Sequence, residues 1–172
     1  MDFNKYQLYA RSSAIYPHIG HNLAYAALGL NEECGEVLEK LLKGDKEGVL
    51  NELSDVMWYS ATCAFEVAAE LNFIAQKRVL LLDKKPKDLI VDMMYQASII
   101  SGRSKKVLRD NHGIVPEDKR EVVIKSLAQI LSLVDLIAQH HGSSIQEVME
   151  KNVAKLKKRM FNKTLKGDGD ER

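Results

Sequence analysis

The 172-residue chain has little of what breaks or staples a fold: three prolines, ten glycines and two cysteines. Cys34 and Cys63 are too few for a disulfide framework, and neither has partners at zinc-site spacing. No stretch approaches the roughly 20 uncharged apolar residues that a membrane-crossing helix needs. The opening MDFNKYQLYARSS carries early charges and no apolar core, so it does not read as a signal peptide, and cytoplasm is the expected location. A dominant charge is missing too. Twenty-five Lys+Arg against 24 Asp+Glu leave a net charge of +1, which argues against a nucleic-acid binder relying on bulk positive charge. With 45% hydrophobic residues, disorder is not expected, and the length fits one domain with a sizeable core.

What remains is helical material. Long proline-free stretches rich in Leu, Ala, Glu and Lys predict helices near 2–14, 22–43, 46–71, 72–84, 88–110, 117–141 and 144–160. Pro17, Pro86 and Pro116 fall between these segments, where a helix breaker belongs. The stretch EVVIKSLAQILSLVDLIA at 121–138 is apolar almost all round and reads as a central buried helix. Several long helices with short loops predict an all-α antiparallel bundle, with residues 162–172 as a polar flexible tail.

The neutral total hides a split. Residues 1–86 hold 9 Lys+Arg and 12 Asp+Glu, a net of −3, whereas residues 87–172 hold 16 and 12, a net of +4. An ordinary solvated surface accounts for this, and so does a site whose opposite parts come from the two halves. There is also a hint of duplication: aligning Asp55 with Gln129 sets Glu52 against Ser126, Leu53 against Leu127 and Met57 against Leu131. Apolar positions recur and acidic ones do not; two helical hairpins sharing only their period is the plainer alternative.

The acidic residues of the first half are spaced for chemistry. Glu32, Glu33 and Glu36 lie in LNEECGEVLEK, and Glu52 and Asp55 follow in NELSDVMWY. Spacings of three and four place such residues on one helical face. KGDKEG between them is a plausible turn, so the two acidic sets can face each other across an antiparallel hairpin. Converging carboxylates repel unless neutralised, and a hard divalent cation prefers such oxygen ligands. Asp55 interrupts the apolar run Leu53, Val56, Met57, Trp58, so it is expected to point inward, where a charge needs pairing or a metal. Glu39 and Glu47 read as ordinary solvated residues, and Cys34, between the acids, as a small buried one.

GLNEECGEVLEKLLKGD followed by LNELSDVMWY resembles the MazG family of all-α nucleoside triphosphate pyrophosphohydrolases, within the superfamily that includes dimeric dUTPases. The shared signature is EExxE, a spacer, then ExxD; here it reads Glu32-Glu33-x-x-Glu36, fifteen intervening residues, then Glu52-x-x-Asp55. FNKYQLYARSSAIYP and SIQEVMEKNVAKLKKRM resemble the opening and closing helices of MazG-like proteins. In a simple MazG-like domain the closing helix follows soon after ExxD, whereas here it waits until residue 144. Residues 87–161 therefore read as a degenerate second repeat plus the closing helix, packed on an active repeat at 1–86 as one globular unit. Its metal positions would be Gln96, Ile99, Ser126 and Gln129, none a good Mg²⁺ ligand.

The resemblance implies Mg²⁺-dependent hydrolysis of a nucleoside triphosphate to the monophosphate and pyrophosphate, with Mn²⁺ as a substitute metal, and a homodimer; no nucleic-acid or membrane partner is expected. It implies Glu33, Glu36, Glu52 and Asp55 as metal ligands, with Glu32 or Glu33 deprotonating the attacking water. Asn152 and Lys155 match family positions that contact substrate phosphate, although a solvated basic helix end is the alternative, and the plainer reading of Lys151, Lys157 and Lys158. Trp58 is a candidate wall of a base pocket, and Gln7 a candidate reader of a base edge. The runner-up functions are a phosphoribosyl-ATP pyrophosphohydrolase and a nucleotide-binding protein without turnover.

Overall fold

In the computed structural model, which describes residues 1–82 and 84–165, seven helices and no strands are present among the described residues. They are α1 (Phe3–Ser13), α2 (Leu23–Leu42), α3 (Lys46–Glu66), α4 (Leu71–Gln76), α5 (Pro86–Asn111), α6 (Glu117–His140) and α7 (Ile145–Asn162).

Local chemistry starts most of them. The side chains of Asp2, Asn22, Asp45 and Ser144 accept the backbone N–H of Lys5, Tyr25, Gly48 and Glu147, satisfying donors that have no partner inside the helix. Proline opens α5, where its missing N–H is harmless. The turn from α2 to α3 depends on two glycines. Gly44 takes the left-handed conformation (φ +72°), and a Cβ on Gly48 would sit 2.2 Å from Asp45 Oδ2. That tight turn sets which residues of α2 and α3 lie opposite each other.

The core follows from the apolar faces. α2 lies antiparallel on α3 and α5 on α6, while α2 also packs on α5 and α3 on α6, so the two hairpins face one another. Two polar ties cross the α2–α5 contact: Asn31 Nδ2 donates to Ala97 O at 3.2 Å and Ser101 Oγ to Ala27 O at 3.3 Å. α6 is the central helix expected from its sequence, burying Val123, Leu127, Ile130, Leu131, Val134, Ile137 and Ala138. α1 and α7 flank α3, and α4 lies against α1 and α6.

Two expected helices are shorter than the pattern suggested. α3 stops at Glu66 rather than 71, because Ala68 turns left-handed (φ +51°) and Arg120 takes the freed carbonyls of Val67 and Ala68 at 2.9 and 3.2 Å. α4 ends at Gln76 rather than 84. Beyond it, Arg78 bonds Asp135 at 3.2 Å, and the Val79 N–H donates to Ser132 Oγ at 3.0 Å. The apolar residues that suggested a helix there, Leu80 and Leu82, are exposed and bury no face. Of the expected tail at 162–172, residues 166–172 lie outside those described.

Candidate functional site

The seam of the α2–α3 hairpin concentrates the acids. On α2, Tyr25, Gly29, Glu33 and Glu36 share a stripe at helical spacing, and on α3, Glu52, Asp55, Tyr59 and Glu66 do the same. Because the helices are antiparallel, the stripes meet in reverse order: acids near the Gly44 turn, then aromatics, then Glu66 beside the start of α2.

At the acid end, Glu33, Glu36 and Glu52 each offer an oxygen, and these atoms lie within 4.8 Å of one another. Glu52 is buried and is met by Lys40 Nζ at 3.2 Å from Oε1. Glu33 is part-buried. Burial first, then the negative charges of Asp55, Glu36 and Glu52, push its carboxyl up to about 9. Asp55 lies beside this group, part-buried as its place in an apolar run suggested, and is held by α7: Lys155 forms an ion pair with Oδ2, and Asn152 Nδ2 donates to Oδ1 at 3.2 Å. Asn152 is in turn fixed by α1, its Oδ1 accepting from the buried Tyr6 hydroxyl at 2.9 Å. Residues nearly one hundred apart in sequence thus meet at one carboxylate.

The structure separates the two adjacent glutamates. Glu33 faces the seam, and Glu32 is exposed beside it. Cys34, next to Glu33, is fully buried, its thiol pushed up to about 12 by burial and by Glu33, so it is an inert packing residue. Trp58 and Gln7 are both tied into the fold. Trp58 Nε1 donates to Ser13 Oγ at 2.9 Å, and its ring meets Tyr59 edge-on at 4.7 Å. Gln7 donates to Ala69 O and accepts from the Leu71 N–H, each at 2.9 Å, so both ends of its amide staple α1 to the α3–α4 turn. Its flank lines a shallow surface dent with Arg11, Tyr16, Thr62 and Phe65.

Among the basic residues of α7, Lys151 lies 3.7 Å from Glu47, Lys157 sits over the Tyr9 ring, and Arg159 is buried. Lys155 reaches Asp55, an acid of the site signature, whereas Lys151 lies against Glu47, outside it.

Sequence reasoning missed Tyr25 and Tyr59, the middle of the aromatic segment of the seam. Tyr16 stacks on Tyr25 at 4.6 Å, and Tyr25 meets Tyr59 at 6.2 Å. Tyr59 fits because of Gly29: a Cβ there would lie 2.1 Å from its ring. Burial, Tyr25, Glu33 and Glu32 together raise the Tyr59 hydroxyl, so it stays protonated. The signal was present in the spacing of Tyr25 and Gly29 on the stripe that carries Glu33 and Glu36.

An all-helical fold whose hairpin seam gathers carboxylates against a lysine from a distant helix defines a class of protein built around an acidic centre of the kind divalent cations occupy. Residues 22–87 match the family model of the MazG nucleotide pyrophosphohydrolase domain, and this span contains every acid of the seam. Gene 37 protein of Mycobacterium phage L5 is 34% identical over 101 residues, covering 49% of this chain and 89% of that protein. The chain belongs to the MazG family. No solved structure matches it.

Proposed function

We propose that this protein is a divalent-metal-dependent nucleoside triphosphate pyrophosphohydrolase, releasing pyrophosphate and a nucleoside monophosphate in the housekeeping of a cytoplasmic nucleotide pool. One observation carries the reading: three carboxylates within 4.8 Å of one another, inside the family-matched span, with Asp55 and Lys155 alongside.

The donor set fits a hard cation. All the groups are carboxylate oxygens, and burial together with the negative charges of Asp55, Glu36 and Glu52 drives Glu33 toward its protonated form. Glu33, Glu36, Glu52 and Asp55 are the proposed ligands, for Mg²⁺ or Mn²⁺. When bound, the cation supplies charge neutralisation at phosphate oxygens.

The chain's own residues supply the rest. Lys155 and Asn152, fixed by Tyr6, present an ammonium and an amide N–H beside Asp55, suited to phosphate oxygens. Hydrolysis breaks the α–β phosphoanhydride bond, water oxygen adds to phosphorus, and one proton leaves that water. Glu32, exposed beside the cluster, and Glu33, within it, are the carboxylates in reach of that proton. Trp58 and Tyr59 continue the seam away from the acids, so the nucleoside end of the substrate lies toward them, with Gln7 further along α1.

We also propose that α5–α6 is a degenerate repeat that completes the bundle. In support, the two hairpins pack face to face, and the positions aligned with the acids hold Gln96, Ile99, Ser126 and Gln129. A homodimer is proposed as the assembly; exposed Leu28 on α2 and Tyr95 on α5 lie on neighbouring helices and offer apolar surface to a second copy.

The test is product identification. Wild-type protein with Mg²⁺ or Mn²⁺ and a panel of canonical, deoxy and modified triphosphates should yield monophosphate and pyrophosphate in equal amounts, and Glu36→Ala should lower the rate about a hundredfold or more. Unchanged pyrophosphate release from Glu36→Ala contradicts the assignment. Selective turnover of phosphoribosyl-ATP would instead favour the second reading.

A further inference from the structure

At the far end of the seam from the acids, one buried carboxylate has no part in the proposed chemistry. Glu66, at the end of α3, is 5% exposed and faces the 14–22 connection between α1 and α2. It accepts three hydrogen bonds from that segment: Tyr16 Oη at 2.6 Å and the Gly20 N–H at 2.8 Å on Oε1, and the Asn22 N–H at 2.6 Å on Oε2. Two donors are backbone amides, so the carboxylate dictates the path of the chain and not only one side chain.

The segment needs such a fastening. His18 and Gly20 both have positive φ, at +57° and +91°, and for a histidine that is a conformation held by its surroundings. Pro17 and His18 are exposed, so packing does not hold this part in place, whereas Tyr16 is buried. Tyr16 is also the segment's link to the seam. Its ring stacks on half-exposed Tyr25, which meets Tyr59 in the notch opened by Gly29, and Tyr59 is flanked by Trp58 and lies near Glu33.

We propose that Glu66 is a positioning residue for the nucleoside end of the substrate: by fastening Tyr16 and the 18–22 turn, it sets the Tyr16–Tyr25–Tyr59 stack beside the acid centre. This rests on the nucleotide reading above. Glu66 touches no substrate, and its carboxylate is spent on the segment. Replacing it by an amide of the same shape leaves at most one accepting oxygen and turns an N–H toward backbone donors, which loosens the segment without opening a cavity.

The experiment is a fluorescence titration of Trp58, the single tryptophan, with a non-hydrolysable nucleoside triphosphate analogue and Mn²⁺, alongside inorganic triphosphate as a ligand lacking the nucleoside. Glu66→Gln is expected to weaken analogue binding about tenfold, with inorganic triphosphate and Mn²⁺ binding unchanged. In turnover the same variant raises KM for nucleotides and leaves kcat nearly constant. Tyr16→Phe keeps the ring and removes one of the three bonds, so it folds if Glu66→Gln does not, and it shows the same selectivity with a smaller factor. Equal weakening toward inorganic triphosphate, or wild-type affinity in both variants, overturns the positioning role while leaving the enzyme assignment standing. A wild-type protein that binds no nucleotide overturns both.

Discussion

The α2–α3 and α5–α6 hairpins are alike in packing and opposite in what their seams hold. Glu33, Glu36 and Glu52 cluster in the first, whereas the positions proposed to align with the acids are Gln96, Ile99, Ser126 and Gln129 in the second, where Leu127 and Leu131 are fully buried. The second seam behaves as plain core, stabilised by burial. The first gathers charge that its own two helices do not balance: Lys40 answers Glu52 from within the hairpin, but Asp55 depends on Lys155 and Asn152 from α7. An acidic seam of this kind relies on neighbouring elements to hold it. The −3/+4 charge split has a structural counterpart in that pairing: the acids sit in the N-terminal half and their partner lysine in the C-terminal one.

That contrast can be broken by mutation. The largest stability effect should be common to both hairpins. Leu53→Ala in the first and Leu127→Ala in the second each remove a fully buried side chain and should cost about 3 kcal/mol by chemical denaturation. A second hairpin that tolerates Leu127→Ala without loss is not part of the shared core. Next comes Lys155→Met, which keeps the stem and deletes the charge. It should raise KM for nucleoside triphosphates about tenfold, with little change at Lys157→Met, whose ammonium lies over Tyr9 instead of an acid. Equal effects at the two lysines would make α7 a general basic surface.

A further effect concerns pH. Glu33 is held at about 9 in the metal-free fold, well above its ordinary 4.5. The folded state therefore holds a proton that the unfolded chain releases, and stability should fall as pH rises between these values. Thermal unfolding in chelator should show this decline from pH 5 to pH 9, with Mg²⁺ reducing it because a cation favours the deprotonated carboxylate. Glu33→Gln should flatten the profile in chelator. A decline of the same size in Glu33→Gln would place its origin elsewhere.

How much of this was legible in the sequence varied with distance along the chain. Helical periodicity turned spacing into shared faces, so the acids of α2 and α3 could be set opposite each other, and α6 declared its central place by being apolar all round. The same rule left Glu32 and Glu33 undivided, because both sit three or four residues from another candidate; the packing of α2 puts Glu33 in the seam and Glu32 outside. The end of α4 was hidden because Val79, Leu80 and Leu82 look like helix core in sequence, while tertiary ties at Arg78 and Val79 draw the chain away. The bonds of Gln7 to Ala69 and Leu71 could not be read from its place on α1, and Glu66 gave no sign of its role, since its partners lie more than forty residues earlier.

The central claim is that the α2–α3 seam holds a divalent cation and the α5–α6 seam does not. Calorimetric titration of Mn²⁺ into metal-free protein tests it directly. The account predicts saturable binding to the wild type and to Ser126→Ala, and its loss in Glu36→Ala with the fold intact by circular dichroism. Wild-type Mn²⁺ affinity in folded Glu36→Ala would contradict it.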